Sequence, residues 1–110
     1  MRFMCLAYLD RGLAPGADAA AQYPLLGKAM QEAGVYVDMG QFVGRSSSKT
    51  VRVTESTPEV IDGPPSSDVA NDSSPIAYFL IDCPSLDDAV TWAARIPAAT
   101  YGSIEILPTR

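Results

Sequence analysis

The sequence predicts a single α+β domain, and three observations carry that prediction. Short apolar runs of strand type alternate with two segments of helical periodicity. Polar clusters rich in Gly, Pro, Ser and Asp separate them, at residues 10–18, 44–49 and 62–75. The elements follow one another as strand, helix, strand, small hairpin, strand, helix, strand. This is the split β-α-β pattern of a ferredoxin-like α+β domain with a β-hairpin inserted between its halves. The chain of 110 residues fits one domain, spanning 1–110.

Each element has a local reason. Residues 2–9 form an apolar run in which Phe3, Cys5, Ala7 and Leu9 share one face and Met4, Leu6 and Tyr8 the other. Asp18 is placed to cap a first helix that runs to about Ala33 and stops at Gly34. Its apolar stripe is Leu25, Leu26, Ala29, Met30 and Ala33. Pro24 either kinks this helix or marks the first turn of a shorter one. Val35, Tyr36 and Val37 open a second strand, with a break at Gly40 before Phe42 and Val43. Residues 50–54, TVRVT, alternate cleanly, and Glu59, Val60 and Ile61 return as the hairpin partner after a turn over residues 55–58. Residues 62–75 read as a polar, mobile surface loop.

The strongest signal is residues 77–97, AYFLIDCPSLDDAVTWAARIP. Tyr78, Phe79, Leu80 and Ile81 make a half-buried or fully buried strand, and Ser85 is a candidate N-cap with Asp88 placed for a capping box. Leu86, Ala89, Val90, Ala93 and Ala94 fall on one helical stripe with Trp92 beside it, and Ile96-Pro97 ends the helix. Residues 103–107, SIEIL, form a last strand. Two helices cover one face of a four-stranded sheet. The other face is also apolar, and a second copy of the same sheet is the simplest cover, so a homodimer is expected.

Composition narrows the function. Net charge is −5, which argues against a nucleic-acid partner. No apolar run is long enough for a membrane span, and no cleavage site follows the N-terminal run, so a cytoplasmic protein is expected. Cys5 and Cys83, both in or beside apolar segments, read as buried free thiols. The chain has no histidine. That removes His-based triads, a His general base and the usual zinc sites, so no metal site is expected.

Four stretches in order, MRFMCLAYLD, MQEAGVYVDMGQF followed by KTVRV, IDGP, and the segment from AYFLIDCPSLDD to YGSIEILP, resemble the YCII-related family, in the branch named after a DGPF motif. The likeness covers nearly the whole chain. It implies a ferredoxin-like fold assembled as a dimeric α/β barrel. The motif here is Asp62-Gly63-Pro64-Pro65, with Pro65 where the family has Phe. In YCII-like proteins a helix histidine and an aspartate near the end of strand one form a proposed active pair. The strand position matches Asp10, and the helix position falls at Gln22, or at Tyr23 in the neighbouring register. Neither replaces an imidazole that exchanges protons near neutral pH.

The candidate catalytic residues are therefore carboxylates, Asp10 and Asp38, acting as acid and base if they meet across neighbouring strands. Tyr8, Gln22, Tyr23, Asp62 and Tyr78 are candidate substrate-binding residues, since several tyrosines around one cavity suit an aromatic or polyketide-like ligand. The bland alternative for Asp10, Asp38 and Asp62 is turn capping, and for the tyrosines and Trp92 core packing. The expected activity is cofactor-independent proton transfer: cyclisation, isomerisation or elimination. The alternative is a non-catalytic accessory protein, since the resemblance implies association with an extracytoplasmic-function sigma factor.

Overall fold

The computed structural model describes residues 1–10, 18–43, 47–65 and 73–110, with Asp10, Ser73 and Ser74 described by their backbone. Among the described residues the elements follow in order: β1 (Arg2–Asp10), α1 (Ala19–Glu32), β2 (Tyr36–Gln41), β3 (Lys49–Thr54), β4 (Thr57–Asp62), β5 (Ser73–Asp82), α2 (Leu86–Ala93), a 3-10 turn (Pro97–Ala99) and β6 (Gly102–Pro108). The sheet runs β2-β5-β1-β6, and every neighbouring pair is antiparallel. The two strands joined by α1, β2 and β1, are held apart by β5. This order is compatible with a ferredoxin-like α+β fold. β3 and β4 form a separate two-stranded sheet, the inserted hairpin.

The pleat decides the core. Phe3, Cys5 and Ala7 of β1 lie opposite Ile81, Phe79 and Ala77 of β5, and all six are buried. Tyr23, Leu26 and Met30 of α1, Ala89 and Ala93 of α2, and Ile96 and Ala98 pack on that face. Ile104 and Ile106 extend it across β6.

The helix stripes differ from those the sequence periodicity marks. In α1 the buried residues are Ala19, Tyr23, Leu26, Gly27 and Met30, whereas Leu25 is 67% exposed and Ala33 is also exposed. The helix docks through Tyr23 on Phe79, so the buried line Ala19, Tyr23, Leu26 and Met30 steps by three and four on that face and leaves Leu25 to one side. Pro24 sits inside the helix with no intrahelical N–H to give, and the carbonyl it deprives belongs to Ala20, an exposed residue. Asp18 holds the N-cap position, but its side chain makes no capping bond. The helix ends as the sequence indicates. Gly34 adopts φ 76° and donates its N–H to Gln31 O, and Val35 donates to Met30 O, the paired bonds of a Schellman stop.

In α2 only Ala89 and Ala93 are buried, while Leu86 and Val90 are about half exposed. An eight-residue helix lying close to the sheet through two alanines keeps the larger flanking side chains at its margins. Ser85 caps it as expected. Its Oγ accepts the Asp88 backbone N–H at 3.2 Å and donates to Asp88 Oδ2 at 3.0 Å. β2 continues through Gly40, which pairs with Tyr78 in the ladder, and the Tyr78 ring occupies the space where a side chain would stand. The hairpin turn is tighter than residues 55–58. Glu55 and Ser56 alone form it, both at positive φ.

Candidate functional site

The alternate side chains of the same strands line the face that no helix covers. The register sets them in rows across the sheet. One row is Asp38, Leu80, Met4 and Leu107, and the next is Gly40, Tyr78, Leu6 and Glu105. Tyr8 follows, between Pro75 and Ser103. Met4, Leu6, Tyr8, Tyr78 and Leu80 are only partly buried, and Leu107 is exposed. The middle of this face is thus an apolar floor with polar groups on both flanks.

Two phenol–carboxylate pairs mark those flanks. Tyr78 donates its hydroxyl to Asp38 Oδ2 at 2.8 Å. Tyr8 donates to Glu105 Oε1 at 3.1 Å. The Tyr78 ring lies over Gly40, where a Cβ would come within 2.5 Å of the ring carbon Cε1. Phe42 also meets it, with ring centroids 5.9 Å apart. Gly40 and Phe42 therefore fix where the phenol can go, and the bond to Asp38 follows from that placement. The hydrogen bond to Asp38 holds the Tyr78 phenol above its ordinary pKa, because the adjacent carboxylate favours the protonated hydroxyl.

The other candidates fall elsewhere. Asp10 ends β1 with its backbone opposite Ser73, and its side chain lies outside the described part of the structure. It does not sit opposite Asp38. β5 intervenes, and Asp38 aligns with Met4, six residues back along β1, about 20 Å at a strand rise of roughly 3.3 Å per residue. The acid–base pair of Asp10 with Asp38 is thereby removed, and the partner of Asp38 is Tyr78.

Tyr23 is a core residue on the helix side. It is 3% exposed, stacks on Phe79 at 6.0 Å and shares a long 3.4 Å contact between its hydroxyl and that of Tyr101. Burial, then the Tyr101 hydroxyl, push its pKa up, so it stays a neutral phenol. Gln22 is exposed and lines a polar surface cavity of about 400 Å³ together with Asp18, Arg95, Thr100 and Tyr101. That cavity opens on the helix side, away from Asp38. Asp62 accepts a hydrogen bond from Lys49 Nζ across the hairpin, where the two residues are paired in register. Its role there is to hold the end of the hairpin ladder.

The sequence reading missed Glu105, Gly40 and Phe42. Glu105 stands mid-strand in SIEIL, and its alternation signal marks it only as an outward residue. Nothing local to Gly40 says that a ring from residue 78 will cover it.

The cysteines take no part. Cys5 and Cys83 are buried and unpaired to each other, and burial raises both thiols, Cys5 to about 11, with the neighbouring Cys83 adding to the effect. At that value the Cys5 thiol stays protonated at neutral pH. No helix among the described residues is long and apolar enough to cross a membrane. Neither the family models nor the curated proteins contain a match to this chain.

Proposed function

We propose that this is a small-molecule-binding protein of YCII-related type that carries out cofactor-free proton transfer on the helix-free face of its sheet, enclosed by a second copy. The observation that carries the reading is the Tyr78 hydroxyl on Asp38 Oδ2 at 2.8 Å, beside the apolar floor of Met4, Leu6 and Leu80. A general base needs a fixed orientation, and the phenol supplies it by engaging one carboxylate oxygen. The other oxygen is left to take a proton from an activated C–H of the ligand and to return it at a neighbouring atom. Such a sequence covers isomerisation, cyclisation and elimination. The floor and the Phe42–Tyr78 ring pair suit a flat apolar body, as in an aromatic or polyketide-like ligand.

An open sheet face cannot exclude water, and proton transfer of this kind gains from exclusion. A facing copy of the sheet would provide it and would cover the apolar rows in the same step, giving a dimeric α/β barrel. The test is a thermal-shift screen of aromatic and polyketide fragments, followed by NMR of each bound ligand in D2O. The expected result is ligand C–H exchange in the wild type and a fall of about 10²–10⁴ in its rate in Asp38→Asn. If no pocket-sized ligand raises the melting temperature, or if Asp38→Asn exchanges at the wild-type rate, the reading is wrong.

A further inference from the structure

Proton transfer at Asp38 leaves the pair on the opposite flank, Tyr8 and Glu105, without a task, yet that pair is built in the same way. Tyr78 of β5 lies opposite Gly40 of β2, and its hydroxyl goes diagonally to Asp38, two residues along that strand. Tyr8 of β1 lies opposite Ser103 of β6, and its hydroxyl goes to Glu105, again two residues along. On each flank a tyrosine of an inner strand faces a small residue of the outer strand and reaches the carboxylate diagonal to it, a step that a long aromatic side chain can span on one face of a sheet. Both phenols lean toward the same end of the sheet, the end that carries Met4 and Leu80. Tyr8, Ser103, Ile104 and Glu105 also line a recess of about 450 Å³, within the range of about 300–1,000 Å³ usual for small-molecule sites.

Spacing and charge define what can bridge the two flanks. Asp38 and Glu105 stand three strand spacings apart and one row out of step. At about 4.8 Å between strands and about 3.3 Å per residue along them, their Cα positions are about 16 Å apart. A hydrogen bond of about 2.8 Å at Glu105 and an approach of about 3 Å at Asp38 leave about 10 Å for the ligand itself. One aromatic ring is too short, and three rings in line fit. The floor between them is Tyr78, Leu80, Met4 and Leu6. Among the described residues these two rows hold two carboxylates and no Lys or Arg. The next row toward the start of β1 has Arg2 opposite Asp82, and the two are already an ion pair at 3.9 Å. The field over the floor is therefore negative, which favours a hydrogen-bond donor and opposes an anion.

We infer that Glu105, oriented by Tyr8, anchors the hydroxyl-bearing far end of the ligand whose reacting end lies at Asp38, so that the site takes an elongated, neutral hydroxyaromatic and turns away an aromatic carboxylate. The inference rests on the proton transfer proposed at Asp38 and adds to it the length, charge and orientation of the ligand.

Isothermal titration of three probes on the full chain tests it. The first is a β-tetralone carrying a para-hydroxyphenyl ring at the end remote from its ketone, whose neighbouring C–H is the activated one. The others replace that ring by phenyl and by para-carboxyphenyl. The wild type should bind the hydroxyphenyl probe about ten- to a hundredfold more tightly than the phenyl probe, as a hydrogen bond to a charged acceptor gives. It should bind the carboxyphenyl probe at least about fivefold more weakly than the phenyl probe. Glu105 is an exposed strand residue, so Glu105→Ala should remove both differences while the Kd of the phenyl probe stays within about twofold. A hydroxyl preference that is absent in the wild type, or that survives in Glu105→Ala, overturns the anchor. C–H exchange of the saturating hydroxyphenyl probe in D2O separates this from the chemistry at Asp38: it should keep its rate in Glu105→Ala and fall in Asp38→Asn. Exchange that needs Asp38 without any hydroxyl preference overturns the anchor and leaves the base. A Glu105-dependent preference with exchange unchanged in Asp38→Asn overturns the base and leaves Glu105 as a binding residue. Failure of all three probes to bind overturns both.

Discussion

Replacing Gly102 by alanine should be far more damaging than its place at the end of a connection implies. Gly102 is the first residue of β6 and faces Leu9 of β1. A Cβ built on it falls 1.8 Å from the Tyr8 carbonyl oxygen and 2.9 Å from the carbonyl carbon. Retreat is closed as well, since Ala98 O lies 3.2 Å away on another side. Ordinary contact begins near 3.4 Å, so the strands must part by about 1.5 Å. An N–H···O distance of about 2.9 Å then exceeds 4 Å, which is no longer a hydrogen bond. Successive antiparallel pairs alternate between two N–H···O bonds and none, so of the neighbouring pairs Leu9–Gly102 and Tyr8–Ser103 the bonded one loses its two bonds. At about 1 kcal/mol net for each bond, the cost is about 2 kcal/mol, or roughly 10 °C in Tm for a domain of this size. Denaturant unfolding at one fixed protein concentration measures it, because any dimer makes stability concentration-dependent. Amide exchange locates it: the Tyr8 and Ser103 region should lose protection. Gly34→Ala is the comparison. Its φ of 76° strains any side chain by about 1–2 kcal/mol, but nothing lies within 4 Å, so the sheet amides keep their protection. A Gly102→Ala cost below about 0.5 kcal/mol with unchanged exchange would refute the close-approach argument.

Two further predictions concern the site and the core. The Tyr78 pKa is raised by its bond to Asp38, so the stabilisation from that bond is fully present below tyrosine's ordinary value of 10.0 and is lost as the pH rises through the raised value. Asp38→Asn should lower the Tyr78 titration midpoint, read by NMR of ring-labelled tyrosine, and an unchanged midpoint would show that the bond does not form in solution. Leu26→Ala should cost about 2–5 kcal/mol in urea unfolding while Leu25→Ala stays within about 0.5 kcal/mol, because Leu26 is 7% exposed and Leu25 67%. Equal effects would return α1 to the stripe that its periodicity suggests.

Local chemistry was enough for much of this protein. The order of elements, the Ser85 cap, the Gly34 stop and which residues of β1 and β5 share a face all follow from interactions within a few residues, and these the sequence states directly. The absence of histidine and the two apolar-flanked cysteines likewise bounded the chemistry in advance. What depends on contacts distant along the chain had no local signal. Leu25 and Leu26 are equally apolar, and only the docking angle of α1 on Phe79 separates them. Asp10 and Asp38 each end an apolar run and look alike, yet β5 lies between their strands and gives Asp38 to Tyr78, forty residues away. Tyr78 and Phe79 are neighbours in one run, and the helices bury the second while leaving the first beside a carboxylate. Periodicity fixes which residues share a face; the side on which the helices pack decides which face becomes core and which is left for function.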